Sequence, residues 1–305
     1  MQRRDFLKTA GFGAASLLAA PSFASGFGLA APKRAIGLEL FTLIRELDAD
    51  VVSTLKKVAA LGYQEVESSF SSKPGFYGLK AKEFAALTRD LGLAWKSHVV
   101  PRSAFKAPAG AKIPTDAGKP LVLPPMLTLQ ENGPEAVAVA AEAGVRYLVC
   151  ASLPPTSLDD VKTSIDVLNR TAMLTQKAGL TLCYHNHDTE FRPMQGQVPY
   201  DLLLAQTDAQ TVKMELDLAW AVKGGADPVE LFRRHPGRFP LWHVKDLSRD
   251  HQTLEPVGSG TIDFKRIFAQ AQLAGLAHLF VEHDMPTAPF DSITTSLRTL
   301  RGLLN

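Results

Sequence analysis

An alternation of two kinds of segment constrains this chain more than any other feature. Eight short runs rich in β-branched and apolar residues recur at 35–40, 64–68, 94–100, 146–151, 180–185, 212–217, 240–245 and 278–283. Longer stretches with apolar residues at i, i+3, i+4 spacing lie between and after them, at 49–61, 81–91, 134–143, 158–178, 228–234, 263–273 and 290–303. The first set reads as buried strands and the second as amphipathic helices. Gly62, Gly92, Gly144, Gly179 and Gly275 each close a helical stretch shortly before a strand, where a helix end favours a left-handed residue. Eight βα units predict an α/β fold, a (β/α)8 TIM barrel. A doubly wound open sheet wants a Gly-rich turn after its first strand, and Leu40-Phe41-Thr42-Leu43 offers none. One barrel domain is expected over 33–305, with an insertion near 101–130, rich in Pro, Ala and Lys, in the third βα loop.

The N-terminus carries a different signal. Met1-Gln2-Arg3-Arg4-Asp5-Phe6-Leu7-Lys8 is a twin-arginine start, followed by a mild apolar run to Ala20 and the small-residue stretch Pro21-Ser22-Phe23-Ala24-Ser25. That order is a secretory signal of the twin-arginine type. Cleavage is expected after Ala24, with Ala20 and Ala31 as alternatives. The expected destination is the periplasm, with the twin-arginine export machinery as a partner and no stable membrane anchor. Outside residues 1–24, 30 basic side chains face 30 acidic ones. A neutral body argues against a large nucleic-acid footprint, which requires clustered Lys and Arg. The two cysteines, Cys150 and Cys183, are expected to be buried free thiols.

Barrel enzymes place their chemistry at the C-terminal ends of the strands. Glu67, His98, His185, His187, Asp217, His243, Lys245 and Glu282 all fall at or just past such ends. Strand alternation puts His185 and His187 on one face with Cys183, Asp217 with Glu215, His243 with Lys245, and Glu282 with Phe280. Each polar set is expected to face the barrel interior. His185, Asp217, His243 and Glu282 come from four successive strands and offer two imidazoles and two carboxylates. That nitrogen–oxygen mix suits one divalent ion of Mn, Co, Zn or Fe better than calcium, which prefers oxygen alone. Glu67, His98, Trp220 and Asp246 are candidate substrate contacts. Gly258-Ser259-Gly260 is read as a tight turn ahead of an Asp263 helix cap.

Five segments carry a family likeness. They are Gly62-Tyr63-Gln64-Glu65-Val66-Glu67, Tyr184-His185-Asn186-His187-Asp188-Thr189-Glu190-Phe191, Glu215-Leu216-Asp217-Leu218-Ala219-Trp220 with Gly224-Gly225-Ala226-Asp227-Pro228, His243-Val244-Lys245-Asp246, and Val281-Glu282-His283-Asp284. In this order they resemble the sugar phosphate isomerase/epimerase family of xylose-isomerase-like TIM barrels, over roughly 35–303. The resemblance implies a divalent metal held by Glu, Asp, His and Glu on the last four strands. Asp217, His243 and Glu282 match the last three, whereas His185 stands where many members have Glu. This departure removes one of the two glutamates with which family epimerases move protons. It is similar to a Tyr-His-Asn-His subgroup, often exported.

The expected chemistry is metal-assisted proton abstraction beside a carbonyl of an unphosphorylated sugar or keto-sugar. Glu282 is the expected base, with His187 or Lys245 handling the second proton. The leading expectation is an isomerase or epimerase. A keto-sugar dehydratase or lyase and a metallohydrolase are the alternatives on the same site, and a non-catalytic sugar-binding barrel is the alternative of another class.

Overall fold

The computed structural model describes residues 34–104, 126–151 and 155–304. The leader at 1–24 and most of the segment expected as an insertion at 101–130 lie outside the described residues. Eight parallel strands close into a barrel: β1 (Gly37–Glu39), β2 (Glu65–Ser68), β3 (Ala94–Pro101), β4 (Tyr147–Ala151), β5 (Thr181–His185), β6 (Val212–Asp217), β7 (Leu241–Val244) and β8 (His278–Val281). Each strand pairs with its neighbours in sequence, and β8 returns to β1 through Gly37↔Phe280 and Leu38↔Val281. The expected TIM barrel is the observed fold.

Local sequence sets the transitions. Asp50, Ser157 and Asp263 accept from the backbone N–H groups of Ser53, Asp160 and Arg266 and so start their helices. Gly62 ends the helix Val51–Leu61 at φ 98°, a conformation only glycine adopts without strain. The helix expected at 134–143 begins earlier, at Leu129, because Thr128 caps it through Glu131 N. Asn132 then leaves helical geometry (φ −126°) two residues ahead of Pro134, which has no N–H to give to the preceding turn. The stretch 263–273 forms two short helices, Phe264–Phe268 and Ala271–Ala274. After β7 the chain adds an unexpected two-residue antiparallel ribbon, Asp246–Leu247 with Leu254–Glu255.

The barrel interior is layered. Val99, Val149, Cys183, Leu241 and Phe280 pack an apolar plug across it. Gly37 makes room for this plug: a Cβ there would lie 2.4 Å from the Phe280 ring. Below the plug, at the N-terminal ends of the strands, Glu65 meets His278 Nδ1 at 2.8 Å and Lys96 Nζ at 3.5 Å. Above it lies the polar cluster described next. The outer faces of the strands pack against the helices in a separate, larger core containing Leu38, Val66, Leu148, Tyr184, Leu216, Trp242 and Val281.

Candidate metal centre and active site

Strand alternation delivers the cluster. His185, Asp217 and His243 point inward from β5, β6 and β7, and Glu282 follows β8. All four are buried, and one coordinating atom from each lies within 4.8 Å of the others. Asp217 is held at both ends. Its Oδ1 accepts from Trp220 N at 2.9 Å, which caps the helix Leu218–Lys223. Its backbone N–H donates to Asn186 Oδ1 at 3.1 Å, while Asn186 Nδ2 donates to Asp217 O at 3.3 Å. Asp217 Oδ2 is left for Lys245 Nζ, 2.9 Å away.

The charge count in this pocket is lopsided. Glu39, Glu67, Glu215, Asp217 and Glu282 are all buried here. His243 takes Glu282 Oε2 on Nδ1 at 2.5 Å, and Glu67 Oε1 and Glu215 Oε2 on Nε2 at 2.5 and 3.2 Å. Lys245 Nζ lies 2.7 Å from Glu282 Oε2 and 3.0 Å from Asp284 Oδ1. Burial opposes charge on His243, but Glu215, Glu282 and Glu67 outweigh it and hold the imidazole well above its ordinary range. Lys245 is likewise raised against its burial, by Asp217, Asp284 and Glu282. Burial drives His185 the other way, helped by the positive charge of His243, so it is neutral and able to ligate. Burial also raises Glu39, with Glu67 and Glu282 adding repulsion. Burial and Glu215 push Glu67 up to about 7. Glu39 and Glu67 are thus pushed toward their neutral forms by crowded, buried acids, and a cation placed among these carboxyls would relieve that repulsion. A divalent metal therefore fits the residues present.

Comparison with known proteins agrees with this architecture. A family model described as xylose isomerase-like TIM barrel matches residues 55–303. The chain belongs to this family. A solved structure described as a sugar phosphate isomerase/epimerase from Parabacteroides distasonis ATCC 8503 is 28% identical, with a TM-score of 0.73 over 91% of this chain and 97% of that one. An inosose dehydratase of Geobacillus kaustophilus is 35% identical over 101 residues, 33% of this chain and 32% of that protein. An inosose dehydratase of Lacticaseibacillus casei is 26% identical over 159 residues, 45% of this chain and 53% of that protein. The matches thus span about a third to a half of the dehydratases' own length.

Within this xylose isomerase-like barrel the other expected site residues fall in different places. Glu67 does reach the pocket, but as a partner of His243 Nε2. His187 and Trp220 stand at its rim with rings 6.3 Å apart. His187 Nδ1 and Trp220 Nε1 have no hydrogen-bond partner among the described residues. Lys223 and Lys245 lie 4.7 and 5.4 Å from the Trp220 ring centre.

Two expected substrate contacts are corrected. His98 points away from the lumen. A register shift between Val66 and Glu67 pairs Ser97 with Glu67 and His98 with Ser68, so Ser97 takes the inward position. His98 Nδ1 instead meets Ser68 Oγ at 2.9 Å, and its ring packs edge-on against Phe76. Asp246 is a loop organiser. Its Oδ1 accepts from Leu247 N and Ile262 N and its Oδ2 from Gly258 N and Gly260 N, at 2.9 to 3.0 Å. Four backbone donors occupy all four lone-pair positions of a carboxylate. A Cβ on Gly260 would lie 2.2 Å from Leu247 O, which explains the glycine. The amides of this glycine turn therefore point at the chain's own Asp246.

Three residues of the pocket were not among the expected site residues: Glu39, Glu215 and Asp284. Glu215 carried a signal, since it shares the inward parity of Asp217. Glu39 lies at the end of β1 inside the otherwise apolar run Ala35–Leu40. Asp284 lies two residues beyond Glu282, outside any strand.

Proposed function

We propose that this chain is a metal-dependent dehydratase acting on an unphosphorylated polyhydroxylated ketone of the inosose type. The observation that supports it best is the pairing of Lys245 with Glu282, 2.7 Å apart, since Glu282 also belongs to the convergent set of His185, Asp217, His243 and Glu282. Those four residues would hold one divalent ion, which when bound supplies Lewis-acid polarisation of the substrate carbonyl.

The chain's own groups divide the proton work. Glu282 is kept ionised: burial raises its carboxyl, but Lys245 and His243 more than compensate and hold it well below the usual carboxylate range. It takes the proton from the carbon beside the carbonyl. Lys245, an ammonium, gives a proton to the hydroxyl on the next carbon; that C–O bond breaks and water leaves. The proton on Glu282 then passes the 2.7 Å to Lys245 and restores both groups. The balance is substrate to unsaturated ketone plus water, with no outside reductant or oxidant. Base and acid stand side by side, which suits elimination of H and OH from one face. Epimerisation wants its two proton carriers on opposite faces, and the second glutamate that would serve is His185 here. The curated relatives named inosose dehydratase support the same outcome. The amides of the 258–260 turn face Asp246, which supports an unphosphorylated substrate.

The family resemblance and the Parabacteroides structure favour isomerisation or epimerisation from the same deprotonated ketone as the second reading. Incubation with an inosose in deuterated water separates the two. Dehydration yields a conjugated product and loses one water per turnover. Deuterium entering recovered ketone without loss of water would decide for isomerase or epimerase chemistry. Absence of both across cyclic and open-chain keto-sugars would overturn proton abstraction altogether. We also propose export through the leader, which predicts a mature N-terminus after Ala24, read by N-terminal sequencing of periplasmic protein.

A further inference from the structure

One carboxylate oxygen faces both histidines of the proposed metal set. Glu215 Oε2 lies 3.1 Å from His185 Nδ1 and 3.2 Å from His243 Nε2. The rings approach it with opposite nitrogens. They tilt against each other at 58° with centres 4.5 Å apart, so one oxygen between them reaches one edge of each. The remaining nitrogens face the ligand carboxylates: His185 Nε2 is 3.9 Å from Asp217 Oδ2, and His243 Nδ1 is 2.5 Å from Glu282 Oε2. Glu67 Oε1 backs the same His243 edge at 2.5 Å. Glu215 is wholly buried, directly below the ligand layer by its parity with Asp217.

We infer that Glu215 is a positioning residue that sets opposite tautomers in the two histidines, so that His185 ligates through Nε2 and His243 through Nδ1. A ring that ligates must give up any second proton, so with the ion bound His243, like His185, is a neutral imidazole with one N–H and one free lone pair. Glu215 has only lone pairs to offer at Oε2, so each ring must turn an N–H toward it. That leaves Nε2 of His185 and Nδ1 of His243 as the lone-pair nitrogens. Carboxylates commonly orient metal-bound histidines in this way, one per ring, and their loss typically lowers metal affinity by about 10–100-fold. Here a single oxygen serves two rings, and on the His243 edge it shares the N–H with the nearer Glu67 Oε1. The arrangement also accounts for a histidine at 185: a ligand with two nitrogens must be told which to present, and Glu215 lies in register with it across β5 and β6.

The inference rests on the proposed metal set, and the test separates the two. Zinc titration of the full chain, followed calorimetrically, is expected to show one ion per chain. No zinc binding by the wild-type protein would overturn the metal reading and this inference with it. Long-range proton–nitrogen correlation spectra of the zinc-loaded wild-type protein are expected to show Nε2-bound, Nδ1-protonated His185 and the reverse at His243. His185→Asn supplies the assignment. Zinc bound with both rings in one tautomer would overturn the inference and leave the metal set standing. Glu215→Gln should lower zinc affinity by about 10–100-fold and change the His185 pattern, and Glu215→Gln with Glu67→Gln should change both imidazole patterns, with the fold checked by circular dichroism. Glu215→Asp should recover part of the affinity. Unchanged affinity and unchanged patterns in Glu215→Gln would also overturn it, as would two zinc ions in the wild type of which the variant loses one, since Glu215 would then be a ligand.

Discussion

The two ends of the barrel both bury acids, and they treat them differently. At the N-terminal end Glu65 stands alone and meets His278 at 2.8 Å and Lys96 at 3.5 Å, both half-buried. At the C-terminal end Glu39, Glu67, Glu215, Asp217 and Glu282 share His243 and Lys245. The plug of Val99, Val149, Cys183, Leu241 and Phe280 separates them. A buried carboxylate by itself therefore says little about function. An excess of carboxylates over cations, arranged to converge, is what distinguishes a site from a structural ion pair.

Substitution at each end should break this comparison most sharply. Glu282→Gln is expected to lower turnover by about 10²–10⁴-fold, the range for loss of a general base. Glu65→Gln is expected to leave turnover within about threefold and to lower thermal stability by about 1–3 kcal/mol, the cost of leaving buried polar partners unmet. Steady-state kinetics and calorimetric melting read both variants. Equal turnover losses at the two ends would erase the distinction.

Lys245→Met comes next in size. Removing one partner of a buried ion pair leaves an uncompensated charge, at a cost of about 3–5 kcal/mol. The metal-free variant should therefore melt well below the metal-free wild type. A divalent ion bound at about a thousand times its Kd adds about 4 kcal/mol. Manganese or zinc should restore much of the variant's melting temperature while turnover stays low. If the ion restores nothing, the excess charge at the upper end is not what the cation balances.

The sequence made the upper end legible through parity and the lower end hardly at all. Helix and strand periods gave the eight units, and alternation correctly turned His185, Asp217, His243 and Glu282 inward. His98 is a candidate only by its place at a strand end, without a parity argument, and it faces away from the lumen. One irregularity in the pairing of β2 with β3 flips every later side chain of a strand, and no composition signal marks it. Asp246 misled for another reason. It follows two true inward positions, His243 and Lys245, but the partners that occupy it are backbone amides 12 to 16 residues downstream, and such donors have no side-chain identity to read. Glu39 became visible only when closure of the barrel brought β1 beside β8, and Asp284 only when the turn after β8 set it against Lys245.

His98 offers the smallest effect and a test of the contrast between an outward and an inward histidine. Burial lowers it from its ordinary range to about 4, only partly offset by its hydrogen bond to Ser68. The unfolded chain binds this proton near pH 6.5. Between those two values the unfolded state holds more protons than the folded state, so stability rises with pH across the window. The contribution of the neutral ring is complete above about pH 6.5 and is lost as pH falls toward about 4, by an amount on the order of 3 kcal/mol. His98→Gln removes the titrating group and should flatten this part of the stability curve, read by urea denaturation at pH 7, 6, 5 and 4.5. Turnover at pH 7 should change little, because the side chain faces Phe76 and Ser68 and not the lumen. A large loss of turnover with an unchanged acid limb would return His98 to the site and make the inner and outer faces of β3 chemically equivalent.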